Sequence, residues 1–283
     1  MFVDKLRRNW AEKDTLLCVG LDPEPERFPE PFRAGSADIF EFNRAIIDAT
    51  ADLVCAYKPQ VAHYSACAAE PQLVRTIEYI HERYPGIPVL LDAKRGDIGT
   101  TAERYVREAF DRYCADAVTV NPYMGFDAVE PFLARADKGV VVLCRTSNPG
   151  SRTFQDLDVQ GKPLYVRVAE EAISRWNPRG NLLLVVGATE PSALRELRAL
   201  SAEVPFLVPG VGVQGASVVD AVENGQDSEG KGVLISTSRA VLYASPGNDF
   251  AIAARRTAQA LKDRINQVRR PRPGRSTTAS SHA

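Results

Sequence analysis

Histidine and cysteine are scarce in this 283-residue chain, and the way the few are placed excludes two kinds of site. There are three histidines, one of them His282 near the end of the chain, so a histidine-rich metal centre is not expected. The five cysteines, Cys18, Cys55, Cys67, Cys114 and Cys144, are odd in number and form no CxxC pair. Cys18, Cys55 and Cys144 lie in apolar runs and read as buried free thiols of a reducing compartment. No apolar run reaches 18 residues, and the opening MFVDKLRRNWAEKD lacks the apolar core of a signal peptide. A cytoplasmic protein is expected, with no membrane partner. The formal net charge of −1 provides no global field to attract nucleic acid or an anionic membrane. Any anion must be held by a local site.

What the chain does have is apolar material in a regular arrangement. Hydrophobic residues make up 45% and charged residues 25%, as in soluble globular proteins. Eight short runs rich in Val, Leu or Ile recur: Leu16–Leu21, Leu53–Tyr57, Ile87–Leu91, Ala117–Val120, Val140–Cys144, Leu182–Val186, Phe206–Val208 and Val233–Ile235. Continuous rather than alternating apolar runs suit parallel strands covered on both faces. Amphipathic segments separate them, among them Ile39/Phe42/Ile46, Leu73/Ile77/Ile80 after Pro71, and Leu194/Leu197/Leu200. Thr100 and Glu103 have capping-box spacing. Strand–helix alternation repeated eight times predicts a single-domain α/β fold, a (β/α)8 TIM barrel, over residues 1–266. Phe2, Leu6 and Trp10 predict an extra helix over the barrel floor. Residues 267–283, rich in Arg, Pro, Ser and Thr, read as a disordered basic tail. The polar stretch 147–162 after the fifth strand reads as an active-site loop.

Barrel chemistry sits at the carboxyl ends of the strands. The first strand ends in Asp22, the second in Lys58, and the third in Asp92, Lys94 and Asp97. The spacing of two between Asp92 and Lys94 points both side chains into the barrel. Asp97, beyond Gly96, reaches either the same region or a neighbouring subunit. Alone, a DxKxxD string is equally a solvated turn with incidental ion pairs; its place beside Lys58 at one barrel mouth makes it a catalytic candidate. The last two strands run into VPGVGVQGAS and ISTSRAVLYA, which place Gly210, Gly212, Gln214, Gly215, Ser238 and Arg239 where barrel enzymes bind phosphate. Glycines admit close approach of backbone N–H groups, and arginine binds phosphate bidentately. Ser147, in RTSNPGS, is placed to hydrogen-bond a polar heterocycle, though Asn148, Pro149 and Gly150 would also build an ordinary turn.

DAKRGDIGTTAERY is the most specific segment, supported by GLDPEPERFP, YKPQVAHYSA, VNPYMG, CRTSNPGS and PGVGVQG. Over roughly residues 10 to 262 the sequence resembles the orotidine 5′-phosphate decarboxylase family, in particular its subgroup found in mycobacteria and related bacteria. The resemblance implies removal of CO2 from orotidine 5′-phosphate without metal or cofactor. It assigns the ribose hydroxyls to Asp22 and Lys58, the substrate carboxylate to Asp92, and proton donation to C6 to Lys94. It implies a homodimer with composite sites in which Asp97, Ile98 and Thr101 come from the other subunit. It places Ser147 against the pyrimidine and Gln214 and Arg239 on the phosphate. One departure is Ser238, where many relatives carry glycine; its backbone N–H still faces the phosphate in this reading. Two rivals remain: a metal-dependent sugar-phosphate decarboxylase or aldolase of the same suprafamily, and a non-catalytic phosphate-ligand barrel.

Overall fold

The β-branched and leucine-rich runs become eight parallel strands whose residues are almost all buried on both faces. The computed structural model describes residues 1–32, 38–211 and 217–269. The strands are β1 (Leu17–Leu21), β2 (Ala56–Pro59), β3 (Leu90–Arg95), β4 (Ala117–Val120), β5 (Gly139–Arg145), β6 (Leu182–Val186), β7 (Phe206–Val208) and β8 (Val233–Thr237). They hydrogen-bond in the order β2-β1-β8-β7-β6-β5-β4-β3. The seam between β2 and β3 is closed by the parallel bridges Tyr57–Val89 and Gln60–Asp92. The result is the expected (β/α)8 barrel. Helices ring it, from Ile39–Thr50 through Glu70–Arg83 and Gly99–Arg107 to Phe250–Val268. Among the described residues, no helix is long and apolar enough to cross a membrane.

Local signals account for most of the boundaries. Asp38 caps its helix by accepting from the Glu41 N–H at 3.1 Å, and Ser217 caps Val218–Gly225 in the same way through Asp220. Pro71 lies in the first turn of Glu70–Arg83. The capping box at Thr100 and Glu103 does not form. The helix begins at Gly99, so Thr100 is already inside it, and the N-cap is Ile98, which has no side chain to bond. The second and third strands also start later than their apolar runs. Leu53 ends up in the turn after the preceding helix, while β3 extends through Asp92 and Lys94 to Arg95.

The floor is closed by the predicted N-terminal helix, Phe2–Glu12, which buries Phe2, Val3, Leu6 and Trp10. Its contacts fall on residues at the start of strands. The Phe2 N–H donates to Asp137 O at 3.1 Å, and Asn9 Nδ2 donates to Cys55 O and Gly86 O at 3.0 and 2.9 Å. Gly139, the first residue of β5, has no room for a side chain, because a Cβ there would collide with the Phe2 ring. At the other terminus the last helix continues to Val268, past the expected tail boundary at Gln267. Arg269 pairs with Asp14 at 2.7 Å. An amphipathic helical surface holding Ile265 in the core carries these residues along with it. Residues 270–283 lie outside the described residues.

Asp116, buried just before β4, ties the floor together. It takes Lys5 Nζ at 2.7 Å, His81 Nε2 at 2.9 Å and the Val89 N–H at 2.9 Å. Burial alone would raise its carboxyl, but these three donors hold it at about 2, below its ordinary 3.8. A group lowered on folding contributes stability that is complete above its unfolded value and disappears as pH falls through the folded one. The contribution should therefore be full above about pH 4 and lost toward pH 2. Asp116→Ala should cost about 3 kcal/mol in urea unfolding at neutral pH. Asp116→Asn should unfold with a shallower loss of stability between pH 4 and 2 than the native chain. Equal slopes for the two proteins would show that Asp116 is not held ionised by its neighbours.

Candidate active site

At the mouth, β2 and β3 bring two lysines onto one carboxylate. Lys58 Nζ lies 3.0 Å from Asp92 Oδ2, and Lys94 Nζ lies 2.6 Å from Asp92 Oδ1. Lys58 is deeply placed, with its side chain 6% exposed, whereas that of Lys94 is 46% exposed and faces the opening. Burial by itself would raise the Asp92 carboxyl; the ammonium groups of Lys58 and Lys94 outweigh it and hold Asp92 well below the usual carboxylate range. Burial would likewise lower Lys58, but the Asp22 and Asp92 carboxylates reverse that and raise it. Lys58 and Asp92 are thus mutually stabilised as charges. Asp22 follows β1 on the same side. Its backbone carbonyl accepts from Tyr243 Oη at 3.3 Å, and the preceding Leu21 carbonyl accepts from Tyr64 Oη at 3.0 Å. Asp22 Oδ1 is buried without a hydrogen-bond donor.

Asp92 and Lys94 do meet, but not by simple strand alternation. The register between β3 and β4 pairs Leu91 with Val118 and Arg95 with Val120, so Asp92, Ala93 and Lys94 together face Thr119 alone. Lys94 takes a left-handed backbone, φ 47°, at this bulge. Bulges re-aim side chains next to active sites, and this one turns Lys94 onto Asp92. Sequence reasoning missed Thr119. A hydroxyl inside an apolar run, one position before the strand ends, was the available signal.

Among the described residues, no side-chain hydrogen bond or ion pair joins Asp97, Ile98 or Thr101 to this cluster. Asp97 Oδ1 accepts from the Ile98 N–H at 2.8 Å, and no ion pair among the described residues joins Asp97 to Lys94. Ile98 is 50% exposed and Thr101 is exposed.

On the other side of the mouth, Asp22, Lys58, Gly210, Ser236, Ser238 and Arg239 share one cavity of about 180 Å³. Ser238 and Arg239 are therefore assembled with Asp22 and Lys58, as expected. Gln214, Gly212 and Gly215 fall outside the described residues. Gly20 makes this arrangement fit, since a Cβ there would land on Ser238 Oγ and come within 3.1 Å of Asp22 Oδ2.

The stretch after β5 is more ordered than a plain loop, with a helical turn, Arg152–Gln155, and a hairpin pairing Asp158–Val159 with Lys162–Pro163. Its anchor is Arg145, a second residue that sequence reasoning missed. With its side chain 2% exposed, Arg145 binds Asp156 Oδ1 at 3.1 Å, Glu190 Oε1 at 3.3 Å and Thr146 O at 3.0 Å, and also the Ser151 hydroxyl. Ser147 is half-buried, and its carbonyl accepts from Thr189 Oγ1 at 3.3 Å. An arginine ending an apolar run was the available signal.

Fold and mouth together define a (β/α)8-barrel enzyme with an ionised Lys–Asp–Lys cluster beside a small polar cavity. A family model described as orotidine 5′-phosphate decarboxylase / HUMPS family matches residues 15–254. The orotidine 5′-phosphate decarboxylase of Ralstonia nicotianae is 55% identical over 268 residues, covering 95% of this chain and 99% of that protein. The enzyme of the same name from Cellvibrio japonicus is 56% identical over 270 residues, again with 95% and 99% covered. The solved OMP decarboxylase of Leishmania donovani superposes with a TM-score of 0.83 at 40% identity, covering 95% of this chain and 98% of that one. The chain belongs to the orotidine 5′-phosphate decarboxylase / HUMPS family.

The Gly20 contact gives a test of how the mouth is packed. Gly20→Ala should destabilise the protein by about 1–3 kcal/mol through overpacking against Ser238. Adding Ser238→Gly removes the obstructing atoms and should recover most of that loss in urea denaturation. Strictly additive effects would mean that the two positions do not share this space.

Proposed function

We propose that this protein decarboxylates orotidine 5′-phosphate to UMP and CO2, as a step in pyrimidine biosynthesis. The observation that carries the chemistry is the ionised Asp92 held between Lys58 and Lys94 at the barrel mouth. Loss of CO2 from C6 leaves an electron pair in the plane of the pyrimidine, where no ring carbonyl can delocalise it. Stabilisation must come from a fixed positive charge, and the same group can then deliver a proton. Lys94 suits both tasks, because its ammonium is bonded to Asp92 and still faces the opening. Asp92, negative and held by its neighbours, lies on the side from which the substrate carboxylate leaves. No cofactor enters this scheme.

The rest of the mouth suits the nucleotide. The unpartnered Asp22 Oδ1 needs a donor, and a ribose hydroxyl supplies one. Arg239 and Ser238 in the shared cavity suit the phosphate, and the sequence resemblance assigns Gln214 to it as well. Ser147 is assigned to the pyrimidine. Phosphate binding remote from C6 can drive closure of loops over the site, an effect expressed in the transition state. Placement in the subgroup found in mycobacteria, and in the cytoplasm, rests on the sequence segments alone.

The assembly belongs to the same reading. Among the described residues Asp97 pairs with no lysine, and exposed apolar residues lie nearby: Ile98 on one side, and Tyr123, Met124 and Phe126 after β4 on the other. Gly96 abuts Asn121, so the two segments adjoin. A two-fold dimer through this face would bury the patch and carry Asp97, Ile98 and Thr101 to the partner's Lys94.

Purified protein should consume orotidine 5′-phosphate and release UMP at an undiminished rate in excess EDTA. Inhibition that Mg2+ reverses would favour the metal-dependent sugar-phosphate reading. Lys94→Ala and Asp97→Ala should each be nearly inactive, and mixing them with subunit exchange should restore about a quarter of native activity, since half the dimers are hybrids with one intact site. An isolated hybrid that stays inactive would place Asp97 in its own chain's site.

A further inference from the structure

We infer that Thr119 is a positioning residue for the reaction: its hydroxyl fixes both the Asp92 carboxylate and the backbone from which Lys94 projects. The inference rests on the decarboxylase reading above. Thr119 is 1% exposed, in the middle of β4. Its Oγ1 accepts the Ala93 and Lys94 backbone N–H groups, each at 2.9 Å, and donates to Asp92 Oδ1 at 2.9 Å. A hydroxyl has one proton and two lone pairs, so its capacity is fully used and its orientation is fixed. Two amides occupy the lone pairs, which leaves the proton only the carboxylate. An acceptor is therefore required at Asp92 Oδ1, the oxygen that also binds Lys94 at 2.6 Å.

The position of Thr119 explains why a threonine is needed. Three residues of β3 face it across the register shift, and two of their N–H groups, those of Ala93 and Lys94, turn to its hydroxyl. An apolar residue of the same shape would take the side-chain acceptor from two part-buried amides and leave one carboxylate oxygen short of a donor. The left-handed Lys94 backbone, φ 47°, would then lose the bond that holds it. Lys94 would keep its charge but not its aim. Asp22, Arg239 and the cavity they share lie on other strands and do not depend on this hydroxyl.

The test compares Thr119→Val, isosteric and at home in a strand, with Thr119→Ser, which keeps the hydroxyl. Native enzyme is assayed alongside; if it does not turn over orotidine 5′-phosphate, the decarboxylase reading has failed rather than this one. With native turnover present, Thr119→Val should lose about tenfold to a hundredfold in kcat, the value of a hydrogen bond to a charged group. Its KM and its affinity for UMP should stay within about threefold. Thr119→Ser should recover most of the kcat. Titration of active sites separates loss of folded protein from loss of rate per site. A Thr119→Val kcat per folded site within twofold of native would overturn the inference. So would a failure of Thr119→Ser to restore the rate, or a loss confined to KM.

Discussion

The mouth of this barrel depends on one carboxylate kept ionised in a buried place. Asp92 is accessible to little water, yet two ammonium groups and a threonine hydroxyl are aimed at its two oxygens. Each partner makes sense only with the others present. Lys58 can be buried and charged because Asp92 and Asp22 face it, and Asp92 can be negative because Lys58 and Lys94 face it. Removing any one would leave an uncompensated charge, which is costlier than the intact set. The bulge in β3 belongs to this arrangement, because it brings Lys94 round to the same carboxylate in a backbone conformation that an L-residue seldom adopts.

The two ends of the barrel divide the work. On the floor, the buried Asp116 is saturated by Lys5, His81 and a backbone amide. At the mouth, among the described residues, the buried Asp22 Oδ1 has no donor and no ion pair joins Asp97 to a lysine. Arg145 sits between these regimes, since its buried charge is fully occupied in holding the segment that carries Ser147.

Much of this could be read from the residues. The eight apolar runs gave the strand number and order, because parallel strands buried on both faces need such runs. The spacing of Phe2, Leu6 and Trp10 gave the floor helix. Asp92, Lys94 and Lys58 were legible because charges at the ends of apolar strands are rarely accidental. The bulge was not legible, since DAKR has the same alternation whether or not the register shifts. Thr119 was hidden for the same reason: within AVTV a threonine reads as a β-former, and its value comes only from the strand beside it. Arg145 looked like the start of a polar loop, because its carboxylate partners, Asp156 and Glu190, lie 11 and 45 positions further along the chain. The cap at Thr100 failed by a shift of two residues, a matter of where the backbone enters the helix.

The claim that most of this account depends on is that Asp92 stays negative between its two lysines. It can be measured without substrate, by following the aspartate side-chain carboxyl carbons by NMR in 13C-labelled protein and assigning Asp92 by its absence in Asp92→Asn. The Asp92 resonance should not titrate between pH 8 and pH 4, because its midpoint lies well below its ordinary 3.8. A midpoint for Asp92 within that range would contradict it.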